Sequence, residues 1–93
     1  LHTHYNNIKR LEISIGHITC SYDTGDVYDG QMLKGMRHGR GTMVYCGGSK
    51  YSGEWLNDMR HGYGRYFSQP ITYEGDWVMD ECSGQCTMTF GDG

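Results

Sequence analysis

The segment Tyr28-Asp29-Gly30-Gln31-Met32 returns as Tyr51-Ser52-Gly53-Glu54-Trp55 and again as Tyr73-Glu74-Gly75-Asp76-Trp77, at a near-constant spacing. A second motif keeps step with it. It reads Met36-Arg37-His38-Gly39-Arg40-Gly41, then Met59-Arg60-His61-Gly62-Tyr63-Gly64, then Glu81-Cys82-Ser83-Gly84-Gln85-Cys86. Registered copies at a period of roughly 20–50 residues mark a repeat array, in which each unit packs on its neighbours rather than closing a core of its own.

Each unit has the pattern of a β-hairpin. Tyr51, Gly53 and Trp55 alternate with Lys50, Ser52 and Glu54, apolar against polar, which is the period of a strand with one covered face. In the second arm Gly62, Gly64 and Tyr66 share one face, and Tyr63, Arg65 and Phe67 share the other. The stretch 56–61 carries Asn-Asp turn chemistry and is read as the connection. With Trp55 opposite Gly62, Gly53 faces Gly64 and Tyr51 faces Tyr66. The same register sets Met32 over Gly39 and Trp77 over Gly84. A bulky ring needs empty space across the pair, which explains a glycine that would otherwise cost a strand about 0.5–1 kcal/mol. Arg60 falls on the turn, where it is expected to be solvated.

The pattern Tyr-x-Gly-(Glu/Gln/Asp)-Trp followed by His-Gly-x-Gly resembles the membrane occupation and recognition nexus (MORN) repeat. Residues 28–50 and 51–72 match closely. Residues 73–93 match in the first arm and depart in the second, where Ser83 replaces the His and Cys86 the second Gly; Met32 replaces the Trp of the first copy. The resemblance implies an all-β fold, an elongated solenoid of successive antiparallel β-hairpins forming a single twisted, curved sheet. Residues 1–27 read as a degenerate repeat or N-terminal cap, with a strand over 10–15, a second arm over 16–20 and a turn at Asp23-Thr24-Gly25. Residues 89–93 begin what would be another unit. With a start at Leu1 rather than Met, this suggests a piece of a longer protein.

Aliphatic residues are scarce, but 8 Tyr, 2 Trp and 6 Met supply apolar bulk, and a net charge of −3 is too small for a disordered chain. No apolar run approaches the roughly 18 residues of a membrane-spanning helix. Cys20, Cys46, Cys82 and Cys86 admit two disulfides, and His2 and His4 with Cys82 and Cys86 admit a zinc site. Those histidines and cysteines lie at opposite ends of the chain. Free thiols in a reduced, cytoplasmic setting, with no bound metal, are therefore the expectation.

No catalytic constellation emerges. Gly47-Gly48-Ser49-Lys50 lacks the spacing and the following helix of a phosphate-binding loop. His38 and His61 are repeat-encoded and read as structural. Glu74 and Asp76 lie on a polar strand face. Neither an enzyme activity nor a cofactor is expected of this chain, and nucleic acid is not among its expected partners.

What remains is a surface. The resemblance implies a non-catalytic scaffold that binds a protein partner. Tyr28, Met32, Tyr51, Trp55, Tyr66, Tyr73 and Trp77 are its candidate contacts, lining an aromatic groove suited to a linear segment. Anchors about 10 Å apart are expected along it. Asp76, Asp80 and Glu81 would favour basic residues at one end of the segment, and a second copy of the chain is a candidate partner. An alternative uses the positively charged middle of the chain. Lys34, Arg37, Arg40, Arg60 and Arg65 would meet acidic phospholipids there, each worth up to about 1 kcal/mol near a membrane. The stretch 66–93, acidic and without Lys or Arg, opposes it. A third reading is a regulatory module beside an enzyme domain on the same polypeptide. The cytoplasm is the expected compartment, at membrane or cytoskeletal structures.

Overall fold

The computed structural model describes residues 16–91. Eight strands follow in chain order: β1 (His17–Ser21), β2 (Val27–Leu33), β3 (Met36–Val44), β4 (Lys50–Leu56), β5 (Met59–Ser68), β6 (Ile71–Val78), β7 (Glu81–Cys82) and β8 (Thr87–Phe90). Each pairs antiparallel with the next as far as β7, and β8 pairs with β6 beside β7. The result is one open sheet of successive hairpins, the architecture expected from the repeat. β1 pairs with β2 as a second arm would. The expected strand over 10–15 and the histidines His2 and His4 lie outside the described residues.

The hairpin connections are shorter than the sequence pattern indicated. Only Lys34-Gly35, Asn57-Asp58 and Met79-Asp80 lie between the paired arms, and all of these residues have positive φ, from 48° to 79°. Two consecutive left-handed residues make the primed turn whose twist matches that of the flanking strands. The second arm consequently starts at Met59, and the expected Trp-over-Gly register within each hairpin gives way. Trp55 pairs with Arg60, Met32 with Arg37 and Trp77 with Cys82. The expected pairs Tyr51 with Tyr66 and Gly53 with Gly64 are present. A bulge in the second arm reconciles the two registers, since Gly53 to Trp55 on β4 spans Gly64 to Arg60 on β5. Gly62 sits in this bulge at φ +97°, a conformation that favours glycine.

The tryptophans do face glycines, but those of the preceding unit: Gly39 opposite Trp55 and Gly62 opposite Trp77. The ring that fills the glycine space inside a hairpin is tyrosine. A Cβ on Gly41 would collide with the hydroxyl end of the Tyr28 ring, and one on Gly64 with that of Tyr51. Each ring is pinned by its hydroxyl. Tyr28 Oη donates to the Gln31 carbonyl at 2.6 Å, and Tyr51 Oη donates to the Glu54 carbonyl at 2.9 Å.

The core therefore lies on one face of a single layer. Tyr28, Met43, Tyr51, Trp55 and Trp77 are its buried members. Rings meet edge to face along the array, Tyr28–Trp55 at 5.5 Å, Trp55–Tyr51 at 5.1 Å and Tyr51–Trp77 at 5.4 Å between centroids. Such pairs add about 0.5–1.5 kcal/mol beyond area burial. Each indole Nε1 donates to a carbonyl of the preceding unit, Trp55 to Gly41 and Trp77 to Gly64, both at 3.1 Å.

The free-thiol expectation fails at one pair. Cys82 and Cys86 are joined as a disulfide, with Cα atoms 6.0 Å apart, while Cys20 and Cys46 are free. The bulge that separates Arg60 from Gly64 in the second unit brings Cys82 and Cys86 onto one face in the third.

Candidate interaction groove

Burial sorts the aromatic ladder into two tiers. Tyr28 and Tyr51 are 0% exposed, Trp55 4% and Trp77 5%. These four form the floor. Met32, Tyr66 and Tyr73 are half-buried and reach the surface of the same face. Met32 is held from the side by Cys20, whose Sγ lies 3.4 Å from Met32 Sδ. Two residues absent from the sequence reading join the upper tier, Tyr22 and Tyr45. They stand at equivalent positions of successive units, one repeat length apart, which is the signal that could have found them. Tyr45 meets Tyr66 at 6.1 Å and Tyr66 meets Tyr73 at 6.3 Å between ring centroids.

Two arginines roof the tryptophans. Arg37 lies 4.9 Å from the Trp55 ring and 5.6 Å from that of Tyr22. Arg60 lies 4.9 Å from Trp77, 5.4 Å from Tyr66 and 5.9 Å from Tyr51. Each guanidinium also clamps the turn of the next hairpin. Arg37 Nε donates to Asp58 Oδ1 at 2.9 Å and its Nη2 to the Asp58 carbonyl at 3.0 Å. Arg60 repeats this on Asp80 at 3.1 and 2.9 Å. The backbone N–H of each arginine donates to the same carboxylate oxygen. Arg60 is thus not the solvated turn residue expected: it stands inside β5, because the turn closes before Met59. The separation of arginine from aspartate is close to one repeat length in both units, a signal the sequence held.

The remaining basic candidates differ. Lys34 is exposed at a hairpin tip, and Arg40 is exposed with its Nη1 3.8 Å from Glu54. Arg65 stands on the opposite, polar face, with its Nε 3.5 Å from Glu74. That face also joins His17 to Asp29, Thr42 to Ser52 and Tyr63 to Glu74. Of the three acidic residues, Asp76 stands on the polar face, Asp80 is engaged by Arg60, and Glu81 is exposed beside it.

The electrostatics of the groove follow from burial. Desolvation pushes the phenols of Tyr28 and Tyr51 up to about 12, with Arg37 and Arg60 respectively pulling the other way. Burial also raises Tyr22 and Tyr45. On the other face, Tyr63 is raised chiefly by its hydrogen bond to Glu74. All these hydroxyls are neutral donors and acceptors at physiological pH. The face therefore offers ring surface, hydroxyls and guanidinium edges. Among the described residues, no group of three or more His, Cys, Asp or Glu is placed to hold a metal.

This repeated unit, a tyrosine seated over a glycine and a tryptophan roofed by arginine, corresponds to a known family. The family model of the MORN repeat matches residues 28–50, 51–69 and 73–93. The chain belongs to the MORN repeat family. The MORN repeat is a non-catalytic module for protein or membrane interaction, and this chain carries three copies. Among curated proteins, none matches the chain.

Proposed function

We propose that this MORN array is a non-catalytic interaction module that takes a linear protein segment along its aromatic face. The supporting observation is the upper tier: Tyr22, Tyr45, Tyr66 and Tyr73 are half-buried and held from below, and the last three are continuous with one another. A rigid tyrosine gives large contact area for little loss of rotamer freedom, the property that concentrates binding energy at interfaces. Successive units advance by two strand spacings, about 10 Å. Apolar anchors of the partner therefore recur near i, i+7 on a helix or i, i+3 in an extended segment. Tyr28, Tyr51, Trp55 and Trp77 act in this reading as the rigid floor, and Met32, Tyr66 and Tyr73 as contacts.

Cross-linking mass spectrometry of the full-length protein with its co-purifying partners tests the reading. Tyr45→Ala and Tyr73→Ala are expected to reduce capture at least about tenfold, in the range of a hot-spot truncation. Tyr63→Ala, on the opposite face, is expected to leave it unchanged. Cross-links confined to the polar face around Lys50, Ser52 and Glu54 would refute it.

A further inference from the structure

In the third unit's second arm Cys82 and Cys86 stand where the second unit has Arg60 and Gly64, and the two are bonded. Cys82 pairs with Trp77 as Arg60 pairs with Trp55. Cys86 abuts Gly75 as Gly64 abuts Gly53; a Cβ on Gly75 would lie 2.8 Å from Cys86 Cα. The segment 82–86 is therefore the same bulge as 60–64. In the first two units this bulge is held by the following strand, through Gly39 opposite Trp55 and Gly62 opposite Trp77. In the third unit no strand among the described residues pairs on that side. The disulfide closes the bulge that a following strand holds in the other two units.

We infer that Cys82 and Cys86 form a reversible redox staple that controls how firmly β8 is held to the sheet. β8 begins at the residue after Cys86 and meets the sheet only through β6, over the pairs from Ile71–Phe90 to Glu74–Thr87. All of its residues are exposed, Phe90 at 74% and Met88 at 54%. No side chain of β8 belongs to the buried core. The bond and the strand pairing are its main anchors, with Gly91 N donating to the Pro70 carbonyl at 2.7 Å beyond it. Both cysteines are half-buried, and Gly84, Gln85 and Thr87 include exposed neighbours on this segment, so a thiol can reach the bond.

The chemistry is exchange with a dithiol reductant. Its thiolate attacks one cysteine sulfur, breaking the Cys82–Cys86 bond and forming a mixed disulfide. The other cysteine leaves as thiolate and is protonated. The reductant's second thiol then attacks the mixed disulfide, releasing the second cysteine thiol and leaving the reductant oxidised. Two electrons and two protons pass to the protein. The bulge then loses its cross-link, and β8 opens more often while the aromatic floor stays packed. The exposed edge of β6 from Ile71 to Glu74 becomes available to another strand.

The 93-residue chain tests this directly, equilibrated in glutathione buffer, unfolded in denaturant and alkylated before mass measurement. Two alkyl groups are expected before treatment with dithiothreitol, mapping to Cys20 and Cys46, and four after it. Hydrogen exchange on the folded chain is expected to quicken at residues 87–90 by about tenfold or more on reduction. Strands β2 to β5 are expected to be unchanged, and reoxidation to restore protection. The double variant Cys82→Ser/Cys86→Ser should behave as the reduced chain with or without dithiothreitol, and Cys46→Ser as the parent. Four alkyl groups before dithiothreitol is added would overturn the inference. So would unchanged exchange at 87–90, or equal loosening of the whole sheet.

Discussion

The Tyr51 ring occupies the volume that a side chain at Gly64 would need. An added Cβ there would lie 2.6 Å from Tyr51 Cε1 and closer still to Cζ and the hydroxyl. Tyr51 cannot yield, because its hydroxyl is bonded to the Glu54 carbonyl and its ring is wedged between Trp55 and Trp77. Gly64→Ala is therefore expected to destabilise the chain by about 1–3 kcal/mol, the range of core overpacking. Gly84→Ala meets nothing within 4 Å and should stay within about 0.5 kcal/mol. Thermal melts of the two variants check the contrast.

Arg60 joins two hairpins at once, on Trp77 by its face and on Asp80 by its edge. Arg60→Ala is expected to cost about 1–2 kcal/mol, since it removes both a ring contact and charge-assisted hydrogen bonds. Arg40→Ala, exposed and 3.8 Å from Glu54, should cost no more than about 0.5 kcal/mol. A double-mutant cycle of Arg60→Ala with Asp80→Ala, measured by denaturant unfolding, should show coupling between them.

Burial raises the phenols of Tyr28 and Tyr51 from 10.0 to about 12. A folded pKa above the unfolded one means the neutral form is favoured by folding. Their contribution is complete below pH 10 and is lost as pH rises through 12, up to about 2–3 kcal/mol for each ring. Melting temperatures should be flat from neutrality to pH 9 and fall steeply above pH 10. Tyrosinate absorbance should show Tyr28 and Tyr51 among the groups that titrate late, together with unfolding.

Anionic vesicles separate the lipid alternative from the groove. Arg37 and Arg60 have their guanidinium groups committed to Asp58 and Asp80, which leaves Lys34 and Arg40 as the exposed basic candidates for a membrane contact in the first unit. Weak sedimentation with phosphatidylserine vesicles is expected, and Lys34→Glu/Arg40→Glu should change it little. Stoichiometric pelleting that collapses at about 0.5 M salt, where exposed charges are screened, would contradict this.

The hairpins were legible because tyrosine, glycine and tryptophan return together at a fixed period, and alternation alone assigns their face. The pairing of Tyr51 with Tyr66 survived the loss of the Trp55–Gly62 register from which it was read. The partner of Trp55 did not. Its assignment depends on whether Asn57-Asp58 closes the turn alone, and on a bulge at Gly62 that alternation counts as ordinary strand. Asp58 and Asp80 carried their signal in plain sight, close to one repeat length from Arg37 and Arg60. A turn carboxylate reads as solvated until the neighbouring strand is in place to receive it. For the groove, the aromatic face could be located from alternation but its two tiers could not, because depth depends on how rings of neighbouring strands pack on one another.

The bulges at Gly39 and Gly62 fall at the same height in successive units, so they line up across the strands as a crease running along the array. The array is in this sense a beam, its reach set by the number of units. Each added repeat lengthens the beam by about 10 Å and leaves its cross-section as it was.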